Sequence, residues 1–148
     1  MWAFQDKGGR DVCLIPEVTG LIQELWRDDW SKQSKTRRIS YLSRCYRYER
    51  PQAGRYREFT QFGVELLGDN GPEARTEVVE LLRKCLDSLG VSYTLNDAVK
   101  RGLTYYTEAG FEAECSQLGA QKQIAGGGAY AEGIGWAIGV DRLLLALQ

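Results

Sequence analysis

The sequence predicts an α+β fold in which a mostly antiparallel β-sheet is flanked by helices. Segments rich in aromatic and β-branched residues, which suit strands, recur along the chain between turn signals. Two amphipathic helical patterns interrupt them, an order that favours a sheet with its helices on one side. With 148 residues, 43% of them apolar, the chain is expected to form one compact domain over residues 1–148.

The N-terminal part is predicted to form a hairpin followed by a helix. Within residues 1–14, the run from Asp6 to Arg10 is a turn signal between two short extended pieces, which Pro16 ends. Over residues 17–30, apolar side chains recur at helical spacing with polar ones on the other face. This pattern predicts an amphipathic helix packed on a flat surface.

Two long strands and a second helix are predicted next. Residues 38–48 and 59–67 have strand composition, and the proline and glycine between them predict a basic loop over residues 49–57. Residues 73–89 carry a helical stripe of apolar side chains, and Gly90 is placed to end that helix.

The C-terminal third is predicted to contain three further strands, over residues 103–107, 111–115 and 123–126. The last segment, residues 133–147, changes from a glycine-rich extended pattern to a helical one. This order completes the predicted sheet and adds a C-terminal helix.

Composition excludes several functional classes. The 19 basic and 20 acidic residues give a formal charge of -1, so the chain as a whole has no electrostatic footprint for nucleic acid. It contains no histidine and four cysteines without a CxxC pair, which argues against a zinc site and against Ser-His or Cys-His catalysis. No apolar run is long enough for a signal peptide or membrane span, so we expect a cytoplasmic protein with reduced thiols and no membrane partner.

The most informative stretch is the basic loop from Arg47 to Phe59. Its arginines could hold a polyphosphate, because guanidinium groups bind phosphate bidentately and stay charged. Glu49 offers an acceptor for an exocyclic amine such as that of adenine, and Phe59 offers a ring face on which a base can stack. The alternative is an ordinary solvated basic loop.

The strand after this loop predicts a polar pocket floor. Gln61, Gly63 and Glu65 share one face by the period-two rule, so an amide and a carboxylate point the same way beside a small residue. Such a floor could bind a small substrate through hydrogen bonds to its polar groups. The alternative is a half-exposed strand whose polar face meets water.

Several segments together resemble, in the same order, the motifs of histidyl-tRNA synthetases. The run from Arg47 to Glu65, Arg-x-Glu-Arg-Pro-x-x-Gly-Arg-x-Arg-x-Phe-x-Gln-x-Gly-x-Glu, resembles motif two of that family. The other matching segments are the hairpin turn at residues 6–10 with Pro-Glu-Val-Thr at 16–19, Arg-Gly-Leu-Thr-Tyr-Tyr at 101–106 with Phe-Glu at 111–112, Gly-Gly-Ala-Tyr at 127–130, and a motif-three pattern at 135–145. The resemblance covers nearly the whole chain.

The resemblance implies a class II aminoacyl-tRNA synthetase catalytic domain that binds histidine and ATP and forms histidyl-adenylate. Mg²⁺ is expected with ATP, and no residues are expected to form a protein metal site. On the histidine side, it implies that Glu17, Thr19 and Gln61 hold the ammonium group, and that Glu65 and Tyr106 address the imidazole with Tyr130 nearby. On the ATP side, Arg47 and Arg101 would neutralise the α-phosphate and the attacking carboxylate, Arg55 and Arg142 would grip the outer phosphates, and Glu49 and Phe59 would seat adenine. The catalytic residues would thus be Arg47, Arg101 and Arg142.

The chain departs from the family pattern at several places. Ile15, Thr104 and Ala129 stand where the family usually has charged residues, so each is expected to remove a charge near the site. The family's motif-one segment, insertion domain and anticodon-binding domain have no matching segment. We therefore expect tRNA(His) to be a partner only with additional domains, and we expect self-association as a homodimer, as in the family.

Two other functions compete with the enzyme. One is a histidine sensor without catalysis, similar to the synthetase-like regulatory subunit of ATP phosphoribosyltransferase, which would not need the retained ATP residues. The other is an interaction protein that uses the fold alone, which would not need Glu65 and Tyr106 together. The retained residues favour the enzyme.

Overall fold

The centre of the computed structural model, which describes residues 1–100 and 102–148, is an antiparallel sheet. Within these residues its six strands are β3 (Arg37–Tyr46), β4 (Glu58–Leu67), β5 (Thr94–Val99), β6 (Gly110–Glu114), β7 (Gln123–Tyr130) and β8 (Gly133–Gly139). Their spatial order is β3-β4-β8-β7-β6-β5, and every neighbouring pair is antiparallel. The predicted α+β class with a mostly antiparallel sheet is confirmed.

The predicted N-terminal hairpin is present beside this sheet. β1 (Ala3–Gln5) pairs with β2 (Asp11–Cys13), and Gly9 takes the positive φ of +75° that the turn requires. The Asp6 carboxylate accepts hydrogen bonds from the backbone N–H groups of Gly8 and Arg10. An aspartate that satisfies its own turn explains why this sequence reverses direction here.

The helices follow the predicted apolar stripes. The first begins as α1 (Thr19–Leu25), passes through a π-helical turn (Trp26–Trp30) and ends as α2 (Ser31–Gln33). The longest is α3 (Pro72–Ser88), which has its proline in the first turn and is followed by Gly90 at φ +71°. A 3₁₀ segment (Ser116–Gln121) and α4 (Val140–Ala146) complete the set within the described residues.

Strand β4 shows how the sheet separates two apolar layers. Leu66 faces the main core, where Leu82 and Leu86 of α3 are fully buried against the sheet. The next residue, Leu67, faces the opposite side and packs with Trp26 and other residues of the first helix. Each fully buried leucine stabilises the fold by about 1.5–3 kcal/mol. The expectation that all helices lie on one side is therefore wrong, because the first helix packs on the face opposite α3.

Two further sequence predictions fail in the region between α3 and β7. Residues 103–107 do not form a strand, since the chain there makes turns with one isolated bridge, between Tyr106 and Tyr130. The aromatic residues suggested a strand, but their rings pack into the cluster around Tyr130 instead. The strand β5 was missed because asparagine and aspartate are rare in strands; it lies at the sheet edge and is irregular between Asn96 and Val99.

The structure contains no helix, among the described residues, that is long and apolar enough to cross a membrane.

Candidate functional site

A cavity of about 600 Å³ opens on the face of the sheet that carries the polar residues of β4. Ten of the residues predicted for the site line it: Glu17, Thr19, Arg47, Glu49, Arg55, Phe59, Gln61, Glu65, Tyr106 and Arg142. The predicted histidine and ATP residues that the structure describes thus share one cavity, with the exception of Tyr130. Arg101 lies outside the described residues.

Glu65 is a buried carboxylate in the lining of the cavity. It is 2% exposed, and it accepts hydrogen bonds from Thr19 Oγ1 at 2.6 Å and from the Tyr130 hydroxyl at 2.7 Å. Burial raises the pKa of its carboxyl to about 7, and the two hydroxyl donors oppose that rise. Glu65 is therefore protonated to a higher pH than an exposed glutamate, and each of its oxygens is held by one hydroxyl donor.

Tyr130 supports Glu65 from behind instead of lining the cavity. It is 1% exposed and its hydroxyl is committed to Glu65 Oε2. Tyr130 thus contacts the cavity through the glutamate that it orients, and its assignment as a histidine-binding residue stays a prediction.

Two glycines leave the space that this arrangement needs. A Cβ on Gly135 would lie 1.7 Å from Glu65 Oε2, and a Cβ on Gly63 would lie 2.4 Å from the Tyr41 ring. The Tyr41 ring thus covers the gap on β4 between Gln61 and Glu65. Its hydroxyl is buried and has no hydrogen-bond partner among the described residues.

A second carboxylate, Glu17, lies at the cavity wall just before α1. Its Oε2 accepts a hydrogen bond of 2.7 Å from the Tyr105 hydroxyl. The sequence motifs assigned no role to Tyr105, and this contact joins residues that are distant in sequence. The tilted contact between Tyr105 and Tyr106, with ring centroids 4.8 Å apart, places both rings at the same wall.

Three guanidinium groups, those of Arg47, Arg55 and Arg142, also line the cavity. Burial lowers the pKa of Arg142, and the neighbouring charges of Arg55 and Arg47 lower it further while Glu49 opposes them. Positive groups that raise one another's energy favour a bound anion, and their shared cavity is large enough for one. The local electrostatics therefore suit phosphate.

Arg142 is also fixed by the protein. Its Nε donates to the carbonyl of Gly54 at 2.6 Å, and its Nη1 donates to the carbonyl of Gln123 at 3.0 Å. Its Nη2 donates to Gln121 Oε1 at 3.3 Å. Gly54 lies in the loop between β3 and β4, so Arg142 connects the start of α4 with that loop and with β7.

Glu49 and Phe59, predicted to seat adenine, already have arginine partners. Glu49 forms an ion pair with Arg55. The guanidinium carbon of Arg47 lies 4.9 Å from the centroid of the Phe59 ring, and Arg47 Nε donates to the carbonyl of Pro16 at 2.9 Å. A base that stacked on Phe59 would therefore lie beside a positive charge.

The three departures from the family pattern lie outside the cavity. Ile15, Thr104 and Ala129 are absent from its lining, and Ala129 packs in the apolar core on the opposite face of the sheet. The expectation that each removes a charge near the site stays a prediction.

Comparison with known proteins gives the family. The sequence model described as histidyl-tRNA synthetase matches residues 1–98, about two thirds of the chain. The chain belongs to the histidyl-tRNA synthetase family. A histidine–tRNA ligase of Methanosphaerula palustris is 30% identical over 249 residues, covering 99% of this chain and 61% of the relative. One from Archaeoglobus fulgidus is 46% identical over 95 residues, covering 64% of this chain and 23% of the relative.

The family members that match along the whole chain are longer than this chain. It spans about three fifths of the length of the Methanosphaerula relative. The alignment with that relative extends over 249 residues, whereas this chain has 148, so the relative contains a long stretch without a counterpart here.

Solved structures share the fold of this histidyl-tRNA synthetase family member. The protein from Bacillus halodurans described as an ATP phosphoribosyltransferase regulatory subunit/histidyl-tRNA synthetase superposes with a TM-score of 0.83 at 17% identity, covering 99% of this chain and 68% of that one. Apo histidyl-tRNA synthetase from S. aureus gives a TM-score of 0.80 at 22% identity, covering 99% and 60%. At these identities the likeness supports the fold alone.

Proposed function

We propose that this chain binds histidine and ATP and forms histidyl-adenylate. The observation that supports this most is the single cavity that joins a buried carboxylate, Glu65, to the convergent arginines Arg47, Arg55 and Arg142. An amino acid and a triphosphate need opposite charges at the two ends of one site. This cavity offers both within reach of one bound pair of substrates.

In the proposed reaction, a carboxylate oxygen of histidine attacks the α-phosphorus of ATP. A new oxygen–phosphorus bond forms, the bond from that phosphorus to the bridging oxygen breaks, and pyrophosphate leaves with the electron pair. The attacking carboxylate is already ionised, so the step needs no general base. Positioning and charge neutralisation are enough, which fits a chain without histidine.

The arginines would supply that neutralisation. Arg47 would act at the α-phosphate, Arg55 and Arg142 at the outer phosphates, and Mg²⁺ would accompany the triphosphate. Arg101 would act with Arg47 by the resemblance of its segment. Because Arg55 pairs with Glu49 in the present structure, adenine binding to Glu49 would release Arg55 for phosphate.

The histidine end would use the acceptors around β4. Glu65 would accept a hydrogen bond from the imidazole N–H, with Tyr106 at the same wall. Glu17, Thr19 and Gln61 would bind the ammonium group at the cavity rim. The tyrosine that donates to Glu17 would orient that carboxylate toward the substrate.

A histidine sensor without catalysis is the second candidate. It is favoured by the fold likeness to the Bacillus halodurans protein whose description includes an ATP phosphoribosyltransferase regulatory subunit. It is also favoured by the three protein acceptors that already occupy Arg142. A sensor would bind histidine and would not exchange pyrophosphate.

We further propose a cytoplasmic homodimer that charges tRNA(His) weakly or not at all on its own. The formal net charge of -1 supports this, because affinity for nucleic acid comes mainly from an excess of positive charge.

Histidine-dependent exchange of labelled pyrophosphate into ATP, measured with magnesium, tests the enzyme directly. We expect slow but measurable exchange that disappears without histidine, and poor charging of full-length tRNA in a parallel aminoacylation assay. Histidine binding without exchange would support the sensor instead. Efficient charging of tRNA would contradict the proposed need for additional domains.

A further inference from the structure

The buried thiol of Cys45 lies beside Gln61 on the same face of the sheet. Cys45 is 0% exposed, and its Sγ lies 3.4 Å from Gln61 Oε1. Gln61 lines the cavity, whereas Cys45 does not. The two residues are diagonal neighbours on adjacent strands, since Cys45 is paired with Phe59 and Ser43 with Gln61. The thiol can therefore act on the substrate only through the glutamine amide.

The residues that follow Cys45 hold the neighbouring wall of the cavity. The backbone N–H of Tyr46 donates to the carbonyl of Ile15 at 2.8 Å, and Arg47 Nε donates to the carbonyl of Pro16. These bonds fix the turn that presents Glu17. The end of β3 thus fixes the position of the segment that carries Glu17 on one side and of Gln61 on the other.

We propose that Cys45 is a positioning residue whose thiol donates to Gln61 Oε1 and orients that amide toward the histidine ammonium. The inference rests on the proposed function. A glutamine carbonyl oxygen has two lone pairs, so the thiol bond leaves one for the substrate. Without this bond the free amide would rotate, and fixing it again when histidine binds would cost conformational entropy.

The state of the thiol suits this role. Burial raises the pKa of Cys45, Glu17 adds to the rise, and Arg47 opposes it. Cys45 is therefore a protonated donor at neutral pH rather than a thiolate.

Calorimetric titration of the full chain with histidine and, separately, with ATP tests this inference through two matched substitutions. Cys45→Ala removes the donor and is expected to weaken histidine binding about two- to tenfold, the range for one net hydrogen bond. Cys45→Ser keeps a donor, so its dissociation constant for histidine should lie within about twofold of the wild-type value. ATP affinity should be unchanged in both. If Cys45→Ala does not fold, Cys45→Val fills the space without a donor and replaces it.

Cys115→Ala is the matched control, because Cys115 is also buried, at 1% exposure, but lies in the main core away from the cavity. It should lower stability without changing histidine affinity. Wild-type affinity in Cys45→Ala, or equal weakening in the alanine and serine variants, would overturn the inference while leaving the proposed function intact. A wild-type chain that binds no histidine would instead reject the proposed function itself, and the inference with it.

Discussion

At the scale of single residues, the site depends on one buried carboxylate. Glu65 is tolerated inside the protein because Thr19 and Tyr130 each donate to one of its oxygens. Gly135 provides the room that the carboxylate occupies. A buried carboxyl with a pKa near 7 destabilises the fold at neutral pH relative to an exposed one. This makes Glu65 a candidate for recognising a substrate.

Glu65 should make stability and histidine binding depend on pH in opposite directions. The unfolded chain releases this proton near its ordinary pKa of 4.5, whereas the folded chain keeps it to about pH 7. The folded state therefore binds more protons between these values, so the free energy of unfolding falls as pH rises through that window. Histidine affinity should instead rise between pH 6 and 8, because the ionised carboxylate accepts a stronger hydrogen bond from an imidazole N–H than the protonated carboxyl does.

Glu65→Gln is the variant that checks both trends. It should flatten the pH dependence of urea unfolding and weaken histidine binding by ~1 to 3 kcal/mol, with ATP affinity little changed. Urea titrations and calorimetry at pH 5.5 and 8 provide the two measurements. Unchanged histidine affinity would remove Glu65 from the recognition site, and equal loss of both ligands would indicate misfolding.

At the scale of elements, the loop between β3 and β4 is held by α4. Arg142 near the start of α4 donates to the Gly54 carbonyl, and Arg55 in the loop pairs with Glu49. The start of α4 is itself tied to β4, since the backbone N–H of Thr60 donates to the Asp141 carboxylate at 2.8 Å. Arg55 and Arg142, the arginines proposed to bind the outer phosphates, therefore form one connected unit with the loop.

Arg142→Ala should consequently weaken ATP binding and loosen the loop between β3 and β4. We expect ATP affinity to fall about tenfold or more, because a charge-assisted contact is worth ~1.5 to 3 kcal/mol, and we expect faster backbone hydrogen exchange in residues 50–57. Arg50→Ala is the control, since Arg50 is an exposed arginine of the same loop that does not line the cavity. Loss of ATP binding without a change in loop exchange would show that Arg142 acts on phosphate alone.

At the scale of the whole molecule, β3 is an edge of the sheet. No strand among the described residues pairs with its outer side, and Leu42 on this strand is 71% exposed. Unpaired backbone groups next to an exposed leucine favour association with another strand. The proposed homodimer could use this edge.

Sedimentation equilibrium tests whether the β3 edge is the dimer interface. The wild-type chain should show a concentration-dependent dimer, and Leu42→Lys should weaken it about tenfold or more by placing a charge at the edge. Leu144→Lys is the control, because Leu144 is a similarly exposed leucine, at 56%, on α4. A chain that stays monomeric at high concentration would refute the dimer, and equal effects of both substitutions would refute the β3 edge as its interface.

Local periodicity and motif chemistry were determined by the sequence. The apolar stripe of α3 and the alternation of Gln61, Gly63 and Glu65 are local patterns, because a helix repeats every 3.6 residues and a strand every two. The order of the motifs was also sufficient to indicate the family. These features depend on residues that are close in sequence, so they can be predicted without knowing which distant segments come into contact.

The tertiary structure alone decided which groups pair across the chain. Tyr130 supports Glu65 from behind, Tyr105 reaches Glu17, and the segment at 103–107 turns instead of forming a strand. These outcomes depend on sheet order and on burial, which set hydrogen-bond partners and pKa values among residues far apart in sequence. Local propensity carries no information about such contacts, and this is why the aromatic segment was predicted incorrectly.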